Sequence, residues 1–144
     1  MQKPTIFIVD DSPMMTQFLT IFFEKKYHVV AYLNPLEAIE DIKNGASPDI
    51  VVTDFDMPEL SGLEFIKRIR QADCTSSIIV VSGMKESKYR LNCLEAGASD
   101  FMAKPFHPAE LDIRIQKQLV KQEAPVLNMK PSFIGKMARV AAIF

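Results

Sequence analysis

Five short runs of β-branched and apolar residues, each followed by a segment of helical periodicity, leave this chain few folds to choose from. The runs are TIFIV (5–9), HVVAY (28–32), DIVVT (49–53), SIIVVS (77–82) and DFMA (100–103). They are nearly continuous in hydrophobicity rather than alternating, the pattern of strands covered on both faces, as in a parallel sheet. In 13–26, Met14, Phe18 and Phe22 recur four residues apart, with Met15, Leu19 and Phe23 beside them. Leu36, Ile39 and Ile42 mark a helix in 35–44, Leu63, Ile66 and Ile69 one in 62–71, and Leu111, Ile115 and Leu119 one in 108–121. Segment 86–96 is the weakest, because Tyr89, Leu91, Cys93 and Leu94 form no clean stripe.

Helix-start signals agree with the periodicity. Ser12-Pro13, Asn34-Pro35 and His107-Pro108 put proline where a first helical turn tolerates it, and Ser61 with Glu64 makes an S-x-x-E capping box. The order βαβαβαβαβα predicts a doubly wound (βα)5 α/β fold, a three-layer sandwich around one parallel sheet.

At 144 residues the chain suits one domain, and 48% apolar with 24% charged residues is an ordinary globular balance. A formal net charge of -1 argues for neither nucleic acid nor an anionic membrane as direct partner. Cys74 and Cys93 sit in no metal or redox spacing, which fits a reduced, cytoplasmic setting. The N-terminal apolar run is too short for a signal peptide or a membrane span. The rhythm breaks after residue 121. KQEAPVLNMKPSF reads as a linker and IGKMARVAAIF as an apolar, helix-compatible run, so 1–121 is the expected domain and 122–144 a linker with the start of an unassigned segment.

In an open α/β sheet, ligands bind beyond the carboxyl ends of the strands. The first predicted strand ends in Asp10 and Asp11, the third in Asp54, the fourth in Ser82, and the fifth leads into Lys104-Pro105. The second ends in Tyr32-Leu33 and offers no matching group. Clustered carboxylates must be neutralised, and Mg²⁺, which takes one or two carboxylates plus waters and phosphate oxygens, suits Asp10, Asp11 and Asp54. Asp54 then becomes a candidate nucleophile toward a phosphoryl group, with Lys104 holding one of its oxygens and Ser82 donating a hydrogen bond to another.

FIVDDSP, DIVVTDFDMPELSGLEFIKRIR, IIVVSG and GASDFMAKPF together resemble the receiver domain of two-component response regulators, over residues 3–121. The resemblance implies a flavodoxin-like sheet of strand order 2-1-3-4-5. It implies that Asp54 is the phosphoacceptor, fed by a sensor histidine kinase or a histidine phosphotransfer protein. Asp10 and Asp11 become the acidic pair, with Asp11 the closer magnesium ligand and Asp56 lending its backbone carbonyl to the metal. Ser82 and Phe101 match the switch hydroxyl and switch aromatic, and Lys104 the family's lysine, its bond to Pro105 expected cis. Asp56 stands two residues past the acceptor, where a carboxylate adds charge beside an attacking water or hydrogen-bonds it, and so bears on phosphoryl lifetime.

Each residue also has a plainer reading. Asp10 and Asp11 alone pass for solvated cap acids, Ser82 for a strand-end hydroxyl, Phe101 for core, and Lys104 for a surface lysine; their company decides against this. His28 and His107 read as a strand opener and a helix cap, and KRIR (67–70) as the wet side of an amphipathic helix. The expected output surface is the face of the fourth helix, fifth strand and fifth helix, carrying Lys85, Lys88 and Arg90 against Glu95, Asp100 and Asp112, with Arg114. A homodimer through that face is the expected assembly, with no direct nucleic-acid or membrane contact by this segment. Two rivals remain. DIVVTDFDMP also resembles the D-x-D motif of haloacid-dehalogenase-type phosphatases, with Asp54 as nucleophile and Asp56 as general acid, although that family sets the motif on its first strand. A degenerate receiver that only docks is the other. Neither receiver reading makes the chain an enzyme beyond self-catalysed gain and loss of its own phosphoryl group.

Overall fold

The computed structural model describes residues 2–84 and 86–123. Five strands and five helices alternate strictly: β1 (Thr5–Val9), α1 (Pro13–Phe23), β2 (His28–Tyr32), α2 (Pro35–Lys43), β3 (Ile50–Asp54), α3 (Gly62–Gln71), β4 (Ser77–Ser82), α4 (Ser87–Ala96), β5 (Asp100–Ala103) and α5 (Pro108–Glu123). The strands form one parallel sheet in the order β2-β1-β3-β4-β5, a flavodoxin-like arrangement. Both central faces are covered. Phe7, Val9, Val51, Ile78 and Val80 pack with α2, α3 and Cys93 of α4 on one side. Ile6, Ile8, Ile50, Val52, Ile79 and Val81 pack with α1 and α5 on the other. Two-sided burial is why β3 and β4 are apolar along almost their whole length.

Local chemistry starts three of the helices as expected. Ser12 Oγ accepts from the Met15 N–H at 3.2 Å, Asn34 Oδ1 from Leu36 at 2.9 Å, and Ser61 Oγ from Glu64 at 3.2 Å. The capping box is only half made, because the Glu64 carboxylate turns to Arg68 instead. His107 caps α5, its Nδ1 accepting from the Ala109 N–H at 3.0 Å.

The phase of α1 differs from the spacing Met14-Phe18-Phe22. The residues that pack inward are Met15, Leu19 and Phe23, while Met14 is 82% and Phe18 51% exposed. Both series have the same period, and only the sheet beneath selects one. The KRIR segment is likewise split. Lys67 and Arg68 are exposed, whereas the Arg70 guanidinium is half-buried, donating to the Gly97 carbonyl (2.7 and 3.2 Å) and to the Cys74 carbonyl (2.7 Å). It staples the ends of α3 and α4 together. Cys93 is buried, its thiol pushed up to about 11 by desolvation, and both cysteines are free.

α5 runs two residues past the expected boundary at 121. Gln122 Nε2 donates to the Asp49 carbonyl (2.9 Å) and to Ser77 Oγ (2.7 Å), so the helix end belongs to the domain. The remainder of the expected linker and apolar run, 124–144, lies outside the described residues. Among the described residues, no helix is long and apolar enough to cross a membrane.

Gly62 is the tightest backbone contact near the sheet rim. A Cβ there would meet the Asp54 carbonyl oxygen at 2.7 Å and the Phe55 Cα at 2.8 Å, both unyielding backbone atoms. Gly62→Ala is expected to destabilise the fold by about 1–3 kcal/mol through this overlap, read from the denaturant midpoint.

Candidate functional site

Because all five strands point the same way, their carboxyl ends share one rim. β1 delivers Asp10, β3 ends on Asp54, β4 on Ser82, and β5 is followed by Lys104. Register fixes the neighbours: Asp54 pairs with Val81, one residue before Ser82, and Ser82 pairs with Ala103, one residue before Lys104. The side chains converge accordingly. Lys104 Nζ lies 3.1 Å from Asp54 Oδ1 and 3.7 Å from Asp10 Oδ2. One carboxylate oxygen from each of Asp10, Asp11 and Asp54 lies within 4.8 Å of the others.

Each acid is held differently. Asp10 is buried, anchored through its own N–H to the Tyr32 carbonyl (3.1 Å) and through Oδ1 to the Ser12 N–H (2.9 Å). Asp11 is exposed at the mouth. Asp54 is 7% exposed, and the backbone after it is locked by Phe55 N–H to Val81 (3.0 Å) and Gly62 N–H to Phe55 (2.7 Å). Burial pushes the Asp54 carboxyl above the usual aspartate range. The Lys104 hydrogen bond and charge pull it back, neighbouring Asp10 raises it further, and the Asp56 N–H lowers it.

A cluster of two buried and one exposed carboxylate suits a hard divalent cation, and the oxygen spacing fits a single ion reached by all three. The same acids are only partly balanced by the one ammonium of Lys104. The remaining expected residues are placed as follows. Ser82 is fully buried, and its Oγ accepts from the Met84 N–H at 2.9 Å. Asp56 is exposed, with its backbone N–H turned toward Asp54. Phe101 is half-buried on β5 against the α2–α3–α4 side of the core. The Lys104-Pro105 bond is cis.

On the expected charged face, Asp112 turns away from β5 toward the segment that follows α1. It pairs with Lys26 Nζ at 2.7 Å and accepts from the Tyr27 hydroxyl at 2.5 Å. Arg114 binds Asp100 within the same chain at 2.8 and 2.9 Å, and Lys88 pairs with Glu86 at 3.3 Å. Lys85 lies outside the described residues. A residue the sequence pattern undervalued is Tyr89, whose ring packs edge-on against Phe55; its only advance signal was an aromatic on a helix without an apolar stripe.

The sequence profile of the response regulator receiver domain matches residues 6–116. The chain is 38% identical over 108 residues to the chemotaxis protein CheY of Thermotoga maritima, covering 74% of this chain and 89% of that one. It is 31% identical over 124 residues to hybrid signal transduction histidine kinase D of Dictyostelium discoideum, covering 85% of this chain but 8% of that protein. Among solved structures, a CheY-like receiver domain protein from Methanospirillum hungatei aligns with a TM-score of 0.79 at 24% identity, over 85% of this chain and 98% of that one. At that identity the likeness speaks for the fold.

An acid whose pKa is raised on folding weakens the fold once ionised. That cost grows as pH rises from the unfolded pKa through the folded one, and is absent where both states are protonated. Asp54→Asn is therefore expected to raise the thermal midpoint at pH 7 in metal-free buffer. The gain should shrink as pH falls through the Asp54 titration, measured by melting the two proteins across pH 3–8.

Proposed function

The chain belongs to the response regulator receiver domain family, and from that premise we propose that it accepts a phosphoryl group on Asp54 and converts it into a change of surface. The observation that carries this reading is the Lys104 ammonium at 3.1 Å from Asp54 Oδ1, beside a cluster of three carboxylates. The donor is a phosphohistidine on a kinase or phosphotransfer protein. An Asp54 carboxylate oxygen attacks phosphorus in line, the P–N bond to the donor breaks as the P–O bond forms, and the donor imidazole leaves with its electron pair. Lys104 already stands where it can hold one phosphoryl oxygen, and Ser82, one ladder position beyond Asp54's partner, can donate to another. Asp10, Asp11, Asp54 and the Asp56 carbonyl would hold magnesium. Bound there, the ion supplies the charge neutralisation that lets one anion approach others.

Several features support the partner side of the proposal. α1 begins two residues after Asp11 and exposes Met14, Phe18, Ile21 and Phe22, an apolar face beside the acids that suits a protein donor. Leu91 and Leu94 on α4 are exposed on the expected output side, where Arg90 and Glu95 have no ion pair among the described residues. That face is the proposed dimer surface. The phosphatase alternative for Asp54 and Asp56 has less support, since the pair stands at the end of the third strand and the family match covers it. Residues 122–144 remain, in this proposal, a connection toward an output, although Gln122 is already part of the receiver.

Two outcomes are expected. Incubation with acetyl phosphate and Mg²⁺ adds one phosphoryl group by mass, and the label disappears in Asp54→Asn or with excess chelator. Sedimentation with Mg²⁺ and beryllofluoride shifts the chain from monomer toward dimer. A doubly charged Leu91→Glu/Leu94→Glu variant stays monomeric while still taking the label.

A further inference from the structure

α4 is attached very unevenly. Its far end is secured: Cys93 is buried, the Ala98 N–H donates to the Cys93 carbonyl at 2.9 Å, and Arg70 donates twice to the Gly97 carbonyl. Its near end is not. Glu86 at the N-cap makes no side-chain cap hydrogen bond, and helix residues 87–92 supply no apolar stripe. Among the described residues of 83–92, every one is exposed except Tyr89, which is half-buried. Its ring meets that of Phe55 at 5.4 Å between centroids and 65° between planes. Phe55 directly follows Asp54 and is buried.

Phe55 is a fixed post. Its N–H is tied to the Val81 carbonyl and its carbonyl to the Gly62 N–H, and Gly62 leaves no room for a Cβ beside its Cα. The opposite end of the linkage is the β4–α4 loop. Ser82 Oγ accepts from the Met84 N–H there, so a Ser82 oxygen that moves toward Asp54 pulls on the loop five residues before Tyr89. Phe55 therefore resists just where Ser82 would pull.

We propose that Tyr89, through its edge-on contact with Phe55, is the positioning residue that holds the start of α4 in its resting arrangement and opposes release of that helix by Asp54 phosphorylation. This inference rests on the phosphoacceptor reading above. It follows from linkage: where a phosphoryl mimic favours the released arrangement, whatever stabilises the resting one weakens its binding, by at most the same factor. One aromatic pair is strong enough to matter, since its loss corresponds to an expected shift of about two- to tenfold.

The test is titration calorimetry of beryllofluoride in saturating Mg²⁺ with the whole chain. Tyr89→Ala is expected to bind about two- to tenfold tighter than the unaltered chain. Tyr89→Phe keeps the ring and should bind as the unaltered chain does. Phe55→Leu removes the other half of the pair and should also tighten binding, after which adding Tyr89→Ala should change little. A merely structural Tyr89 would lower stability without tightening the mimic. Unchanged or weaker binding in a folded Tyr89→Ala, or a Tyr89→Phe that behaves like Tyr89→Ala, overturns the inference. If Tyr89→Ala does not fold, Phe55→Leu decides, and unchanged affinity there overturns it. Failure of the unaltered chain to bind beryllofluoride at all would remove the phosphoacceptor reading and this inference together. Normal binding with an inert Tyr89 removes this inference alone.

Discussion

A parallel sheet buried on both faces gathers the carboxyl ends of all its strands on one rim, and the acids, the hydroxyl and the ammonium of the candidate site are found there. Ile6, Ile8, Ile50, Val52, Ile79 and Val81 face one apolar layer, and Phe7, Val9, Val51, Ile78 and Val80 the other. With both faces used for burial, the rim is the remaining place for Asp10, Asp54, Ser82 and Lys104 to meet. Their meeting is electrostatically uncomfortable. Two buried carboxylates and an exposed third face one ammonium, and burial holds Asp54 above the usual carboxylate range despite Lys104. A site that is too negative for its own charge complement is one that gains from a cation.

The helices around the rim differ in how firmly they are tied down. α5 is anchored along its length: Arg114 to Asp100, Asp112 to Lys26 and Tyr27, and Gln122 to Ser77 and the Asp49 carbonyl. α3 is clamped to the loop after Asp54 by the close approach of Gly62. Against these, α4 has a firm far end and a near end resting on one tyrosine. Low local anchoring is the physical meaning of a segment that shifts at small cost. The weakest anchoring among these helices therefore lies beside Ser82.

Much of this architecture could be read from the residues. Continuous apolar runs announced the buried strands, Ser12, Asn34 and Ser61 announced helix starts, and the order of acids, hydroxyl and lysine along the strand ends announced the cluster. The shortfalls share one cause, which is that spacing leaves the phase and the partner open. Met14-Phe18-Phe22 and Met15-Leu19-Phe23 are equivalent as periods, yet only the second packs inward. Arg70 belongs to a basic run that reads as solvated, yet the Cys74 carbonyl just past the helix and the Gly97 carbonyl twenty-seven positions on capture it. Asp112 reads as part of the α4–β5–α5 charge pattern, yet Lys26 and Tyr27, more than eighty positions earlier, turn it the other way.

The amino-acid order alone determined that five strands and five helices would alternate, and that acids, a hydroxyl and a lysine would stand at strand ends, because hydrophobic period and capping chemistry are local properties. Tertiary structure decided everything that depends on distance between remote segments. That includes the 3.1 Å approach of Lys104 to Asp54, the upward push on the Asp54 carboxyl, the choice of inward face on α1, and the seat of Tyr89 on Phe55. Aromatic contacts fall off within a few ångströms and charge–charge energies depend on separation and burial, so neither takes its value until the chain has closed around them.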